Sequence, residues 1–240
     1  NVRASRSFPF VSKVTGHNFI EIATKLLLGK KVSGDYRTLE LDYVAVKSPQ
    51  FSYNRIKGAD PLGYVEMGST GEVASFGDGY EEALLKSMLS AGMRIPKKNI
   101  LVSLGREENK VKLLPSMKKL KELGYRLYAT EGTAKFLREE GVLCDVAHKI
   151  HSGKSPNIGT MMDEGTFDLI INIPTRGLSR QESKTTNGAK SDGFTIRRKA
   201  IDINVPLLTN RQLAEAFISA LYEMKGKKLV AKAWREYMAG

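Results

Sequence analysis

From residue 99 onward, apolar and polar positions follow two alternating rhythms. Short apolar runs at 99–104, 125–130, 142–147, 167–173 and 205–208 predict strands. Between them, Leu113, Met117 and Leu120 recur at helical spacing, and Gly124 closes that turn. Further helices are predicted at 134–140, stopped at Gly141, and at 158–165. A last one carries Leu213, Phe217, Ala220, Leu221 and Met224 on one face. The run at 167–173 is apolar throughout, as a central parallel strand should be. Alternating β and α units predict an α/β fold, a Rossmann-like parallel sheet with helices on both faces. Residues 176–193 are polar and rich in Gly, Ser, Thr and Lys, which predicts a mobile loop. Residues 194–200 read as a helix or an extended piece.

Before residue 96 the rhythm is weaker. Asn18 predicts the N-cap of a helix with Ile20, Ala23 and Leu27 on one face, ended by Gly29. Strands are predicted at 41–46, 64–67 and 72–76, the last two around a turn at 68–71. A helix is predicted at 80–91, ended by Gly92. Residues 1–13 show little hydrophobic periodicity and read as a basic loop. This part lacks a complete core of its own and reads as the tail of an α+β domain. Pro96-Lys97-Lys98 marks the expected boundary, giving domains 1–95 and 96–240.

Composition narrows the class. The chain has 240 residues, is 41% hydrophobic and carries a formal net charge of +12. Such a charge permits nucleic-acid binding, but the basic residues are scattered and no nucleic-acid module signature occurs. The single cysteine, Cys144, excludes a disulfide framework and points to a reducing compartment. No signal-peptide pattern opens the chain and no apolar run matches a bilayer, so a soluble protein is expected. The three histidines, His17, His148 and His151, have no zinc-ligand spacing. The chain starts at Asn1 inside a motif-like segment, so a piece of a larger protein is expected.

Ligands of open parallel sheets sit at the carboxyl ends of the strands. Those ends collect Ser103, Thr130, Gly132, Thr133, Lys149 and Asn172, with Lys110 on the loop after the first strand. Thr130-Glu131-Gly132-Thr133 stands where a strand gives way to a helix. There, two hydroxyls and unpaired N–H groups point outward at the positive end of a helix dipole, a setting for phosphate. The plainer alternatives are that the threonines cap the helix and that the lysines are solvated. His148 and His151 flank the edge, and polar loop histidines are the plainer reading. Asp60, Glu66 and Glu72 lie beside turns, where solvated acids are ordinary. Asn1, Arg3 and Arg6, with Ser5 and Ser7, are residue types suited to a hard cation and to phosphate oxygens.

Several of these stretches resemble one family. Asn1 to Lys13 (NVRASRSFPFVSK) is similar to the segment ending the second ATP-grasp active site of the carbamoyl-phosphate synthetase large subunit. Asp60-Pro61-Leu62 and residues 66–73 (EMGSTGEV) resemble the tract that follows it. Residues 128–133, Asn172-Ile173-Pro174 and Ile196-Arg197-Arg198 resemble its carboxy-terminal regulatory domain, of methylglyoxal-synthase-like fold. The likeness spans essentially the whole chain. It implies a parent ligase that makes carbamoyl phosphate from bicarbonate, ammonia and ATP, for arginine or pyrimidine synthesis, in the cytoplasm or the mitochondrial matrix. It implies ATP and Mg or Mn in the parent, with Asn1 as a metal ligand and Arg3 and Arg6 beside the ATP phosphates. That site is incomplete here, so neither cofactor is expected on this chain alone.

The resemblance further implies an effector pocket at Ser103, Lys110, Thr130, Gly132, Thr133, Lys149 and Asn172. Its ligand would be a small anion, UMP or IMP in bacterial relatives, N-acetylglutamate in the mitochondrial form, while some arginine-pathway relatives keep the domain with a silent pocket. Partners would be the rest of the synthetase and, where ammonia derives from glutamine, a glutaminase subunit or domain; a homo-oligomer is compatible, nucleic acid and membrane are not expected. Ile173 and Pro174 replace the two hydroxyl residues of the bacterial pattern. Ser48 stands where ornithine-responsive enzymes carry a glutamate, and His148 where the N-acetylglutamate form has a tryptophan. The alternative is a free-standing enzyme of the same fold acting on a phosphorylated small molecule.

Overall fold

A computed structural model of the chain describes residues 5–34, 36, 40–62, 69–174 and 191–238. Asn1, Arg3, Glu66, the strand expected at 64–67 and most of the loop expected at 176–193 lie outside the described residues. The chain forms two compact units, one from Asn1–Gln50, Gly71–Gly92 and Gly226–Gly240, the other from Phe51–Thr70 and Met93–Lys225. Neither is continuous, so the units do not follow the single boundary expected at residue 95. Local composition marks a loop but not the unit that the loop packs into.

In the first unit, α1 (Ser7–Thr15) occupies the segment expected to be a loop. Weak hydrophobic periodicity hid it; Pro9 does not oppose it, since proline is tolerated in a first helical turn, where no intrahelical partner for its N–H is needed. Gly16, at φ +72°, ends the helix in the left-handed conformation. α2 (Phe19–Leu27) follows as expected, with the Asn18 side chain accepting from the Glu21 N–H at 3.2 Å. β1 (Val44–Gln50) starts three residues later than the strand expected at 41–46 and pairs antiparallel with β2 (Gly71–Gly77). Gln50 stands opposite Gly71, so residues 51–70 are the connection of a closed hairpin. α3 (Tyr80–Ser90) lies on that hairpin, its Ser87 Oγ 3.2 Å from the Val46 carbonyl and 2.8 Å from Ser48 Oγ. Gly77 allows this approach, since a Cβ there would stand 2.6 Å from the Ala83 nitrogen. A short helix at Trp234–Tyr237 returns to this unit, where Lys86 Nζ meets Tyr237 Oη at 3.2 Å.

The second unit has the α/β fold the pattern predicts. Its elements run β3 (Asn99–Leu104), α4 (Glu107–Glu122), β4 (Arg126–Thr130), α5 (Glu131–Glu139), β5 (Asp145–Ala147) and α6 (Ile158–Asp163). They continue through β6 (Leu169–Ile173), α7 (Asp192–Asp202), β7 (Leu207–Leu208) and α8 (Arg211–Glu223). The strands are parallel, in the order β5-β4-β3-β6-β7. Residues 194–200 are helical; α7 starts at Asp192, where the Ser191 hydroxyl caps it by accepting from the Phe194 N–H at 3.2 Å.

The sheet centre is closed to water: Ile100, Leu101, Val102, Leu127, Ala129, Leu169, Ile170 and Ile171 expose nothing. Leu101, Tyr128 and Ile170 pack with Ile158 and Met162 of α6 and Ile196 and Ala200 of α7. Period two sends Ile100 and Val102 to the opposite face. Each such side chain contributes about 1.5–3 kcal/mol when fully buried. The chain builds outward from β3 through β4 to β5, then resumes on the other flank with β6 and β7. The order therefore reverses between β3 and β6, which is where such sheets open a crevice. Among the described residues, no helix is long and apolar enough to cross a membrane.

Candidate functional site

Strand register gathers most of the expected residues on one edge. Ser103 of β3 pairs with Asn172 of β6, and Thr130 of β4 pairs with Ala147 of β5. Lys149 lies two residues beyond the end of β5, exposed. Ser103, Thr130, Thr133, Lys149 and Asn172 thus share the carboxyl edge on both sides of the switch point.

At the β4–α5 junction there is no loop at all: Thr130 ends the strand and Glu131 begins the helix. Thr130 is the N-cap residue, yet its side chain makes no capping bond. Its hydroxyl donates to Thr133 Oγ1 at 3.2 Å, and Thr133 Oγ1 accepts the Leu104 N–H at 3.1 Å. The two residues are 7% and 1% exposed. The expected outward-facing hydroxyls are therefore a correction. The backbone leaving β3 must place its N–H somewhere, and the first turn of α5 supplies the acceptor. What the junction leaves toward solvent is the N–H groups of the first helical turn, with no side chain of Thr130 upon them. Gly132 is exposed there, and a Cβ on it would meet nothing within 4 Å.

Lys110, on the first turn of α4, has its ammonium 2.8 Å from Glu107 and 5.8 Å from the centroid of the Phe136 ring. It is tied to its own helix and to α5 rather than left reaching across the edge. Arg106, just before α4, has φ +35°, a strained conformation for a side chain of its size.

Sequence reasoning passed over Glu131. Its carboxylate is 3.0 Å from His148 Nδ1 and 3.3 Å from Lys154 Nζ. The hydrogen bond from His148, then that from Lys154, holds the Glu131 carboxyl below the usual glutamate range. An acid in a first helical turn is an ordinary helix signal, so nothing local set it apart. The signal that was available is the pairing of Thr130 with Ala147, which brings His148 alongside Glu131.

The larger omission is Asp60, read as a solvated acid. Its side chain is 4% exposed, and it receives Arg197 Nε at 2.8 Å on one oxygen and Nη2 at 2.7 Å on the other. Arg197 Nη1 donates to Asn172 Oδ1 at 2.9 Å. Arg198 sends Nη1 to the carbonyls of Tyr53, Ile56 and Ala59, at 3.1, 3.0 and 3.2 Å, and pairs with Asp202. Two adjacent arginines of α7 thus hold a segment whose only regular structure is one 3-10 turn, Tyr53–Arg55. Burial of an apolar run is readable from sequence; burial of a carboxylate depends on a partner far along the chain.

Of the residues expected near ATP, only Arg6 is described. It stands 3.7 Å from Glu72, whose other oxygen is 3.2 Å from Lys47 Nζ. Glu72 is thus held between two cations. Among the described residues no group of three or more metal-donor side chains occurs.

Residues 112–209 match the family model described as "MGS-like domain". The chain is 44% identical over 238 residues to Multifunctional protein pyr1-3 of Dictyostelium discoideum, covering 98% of this chain and 10% of that protein. It is 44% identical over 227 residues to Multifunctional protein URA2 of Saccharomyces cerevisiae, 92% of this chain and 10% of that protein. It is 39% identical over 255 residues to human Carbamoyl-phosphate synthase (ammonia), mitochondrial, 100% of this chain and 16% of that protein. The chain thus spans a small part of the curated relatives it matches. A solved methylglyoxal synthase from Elizabethkingia anophelis aligns with a TM-score of 0.40 at 18% identity, over 58% of this chain and 97% of that one.

Proposed function

We propose that this chain, whose residues 112–209 match the MGS-like domain model, is the regulatory carboxy-terminal region of a carbamoyl-phosphate synthase and that it takes a small anion at the strand edge. The observation that carries this reading is the β4–α5 junction. A strand passes into a helix without a loop, and the helix start keeps its first N–H groups clear of a side-chain cap. Such a terminus attracts phosphate or carboxylate through oriented N–H groups and the helix dipole. Exposed Lys149 adds positive charge, and Ser103 and Asn172 add polar groups across the switch point.

The ligand classes are a nucleoside monophosphate, UMP or IMP, and N-acetylglutamate. Carbamoyl-phosphate synthesis belongs to this proposal through a relative's name, and ATP with Mg or Mn, and assembly with the rest of the synthetase, through the resemblance of residues 1–13 and 66–73. The first unit is proposed to perform no catalytic step of its own; the 3.7 Å approach of Arg6 to Glu72 is in keeping with that. The isolated chain should show no bicarbonate-dependent ATPase activity.

The edge does hold one carboxylate suited by position to proton transfer, Glu131. That carboxylate is already engaged by His148 Nδ1 at 3.0 Å and Lys154 Nζ at 3.3 Å, which supports binding over a free-standing enzyme. Incubation with dihydroxyacetone phosphate should give no turnover. Calorimetric titration of the 240-residue chain with UMP, IMP and N-acetylglutamate tests the binding. One of them should bind, and Lys149→Ala should weaken it about tenfold, the equivalent of roughly 1.4 kcal/mol. Absence of binding by all three overturns the reading.

A further inference from the structure

We infer that Arg197 is a positioning residue that fixes Asn172 as a hydrogen-bond donor at the strand edge and links the state of that edge to segment 53–62. The ligand half of this inference rests on the anion reading above; the link itself rests on geometry alone.

The side chain of Arg197 is 2% exposed and that of Asp60 4%, so neither charge has water to fall back on. A guanidinium has donors only, set in one rigid plane. Two of its nitrogens are committed to Asp60 and the third to Asn172 Oδ1. Because Arg197 only donates, the Asn172 carboxamide must turn its oxygen toward it. The amide NH2 then faces away from the guanidinium, and what Asn172 can offer a ligand is a donor. An anion suits that; a cation does not. α7 closes tightly over the link: a Cβ on Gly193 would lie 3.1 Å from Arg197 Nη1 and 3.7 Å from Asn172 Oδ1.

The same rigid plane makes the two ends dependent. Reorienting Asn172 shifts one edge of the guanidinium and loosens the other edge on Asp60. Asp60 is the anchor of a segment otherwise held by Arg198 through three carbonyls. That segment belongs to the connection of the β1–β2 hairpin, whose ends Gln50 and Gly71 are paired. A change at the strand edge is therefore continuous, through one side chain, with segment 53–62.

The test is amide hydrogen exchange of residues 53–60 in the full 240-residue chain, with inorganic phosphate as the anion and its affinity measured in parallel. Without phosphate, Asn172→Ala should speed exchange of 53–60 about fivefold or more, the lower end of ordinary coupling, while Lys149→Ala should not change it. Asp60→Asn, which keeps shape and removes charge at a residue paired with Arg197, should weaken phosphate binding by a similar factor. A mere structural tether would leave that affinity unmoved. Arg197→Gln should do both, and if it fails to fold the other two variants still decide. Unchanged exchange in Asn172→Ala, or equal phosphate affinity in wild type and Asp60→Asn, overturns the inference. If wild type binds no phosphate, the affinity comparison is made with whichever of UMP, IMP and N-acetylglutamate binds; if none does, the anion reading falls, and the exchange of Asn172→Ala alone decides the link.

Discussion

Two strand-to-helix junctions meet at the same sheet edge and are built on opposite principles. At β4–α5 the polar groups are neutral hydroxyls, three residues apart, closing on the Leu104 N–H across one neighbouring strand. At β6–α7 the polar group is a buried charge whose partners are 25 and 137 residues away in the chain. A neutral hydroxyl costs little to bury when a single acceptor or donor is met. A guanidinium is tolerated only if a carboxylate is buried with it and the remaining donors are filled. The first junction can be assembled locally, whereas the second exists only once distant segments are in place.

The largest effect should separate the two directly. Arg197→Ala strands Asp60 without its counter-ion and should cost about 3–5 kcal/mol in urea unfolding at neutral pH. Replacing both partners, Arg197→Met with Asp60→Leu, should recover most of that loss, because the cost lies in the orphaned charge rather than in the missing contact. Thr133→Ala should cost less, about 1–3 kcal/mol, for one unsatisfied N–H at Leu104, and Thr133→Ser should cost almost nothing. Equal losses for Arg197→Ala and Thr133→Ala would erase the distinction between the junctions.

Smaller still is Glu131→Gln. The melting temperature should hold within error, since the carboxylate is solvated, but phosphate affinity should rise and the rise should shrink with added salt. The mildest effect is acidification. Arg198 holds the Asp202 carboxyl below the ordinary aspartate range. A depressed carboxylate stabilises the fold above its unfolded pKa, near 3.9, and that contribution fades as pH falls through the lower folded value. Exchange of residues 53–60, corrected for intrinsic rate, should thus stay flat from neutrality down to about pH 5 and rise only below about pH 4. A rise already at pH 6 would implicate a different group.

The parallel sheet was legible because each strand is an apolar run and each helix a spaced apolar face. Asn18 and Gly29 even mark both ends of α2, at the capping side chain and at φ +70°. α1 was not legible, because it buries no residue and so shows no apolar face in the sequence. The edge was legible as a set of strand ends, Ser103, Thr130 and Asn172, but not in the direction of its side chains. The hydroxyl of Thr133 turns inward because of Leu104, a demand of backbone hydrogen bonding that no residue pattern displays. Asp60 escaped for the same reason on a longer scale: its neighbours in sequence describe a turn, and its neighbour in space is Arg197.

The ribbon passes between the two units at 50/51, 70/71, 92/93 and 225/226. No single protease cut, and no single recombination joint, releases either one whole. Any shortened chain that keeps one unit entire must therefore be rejoined where the other has been cut out.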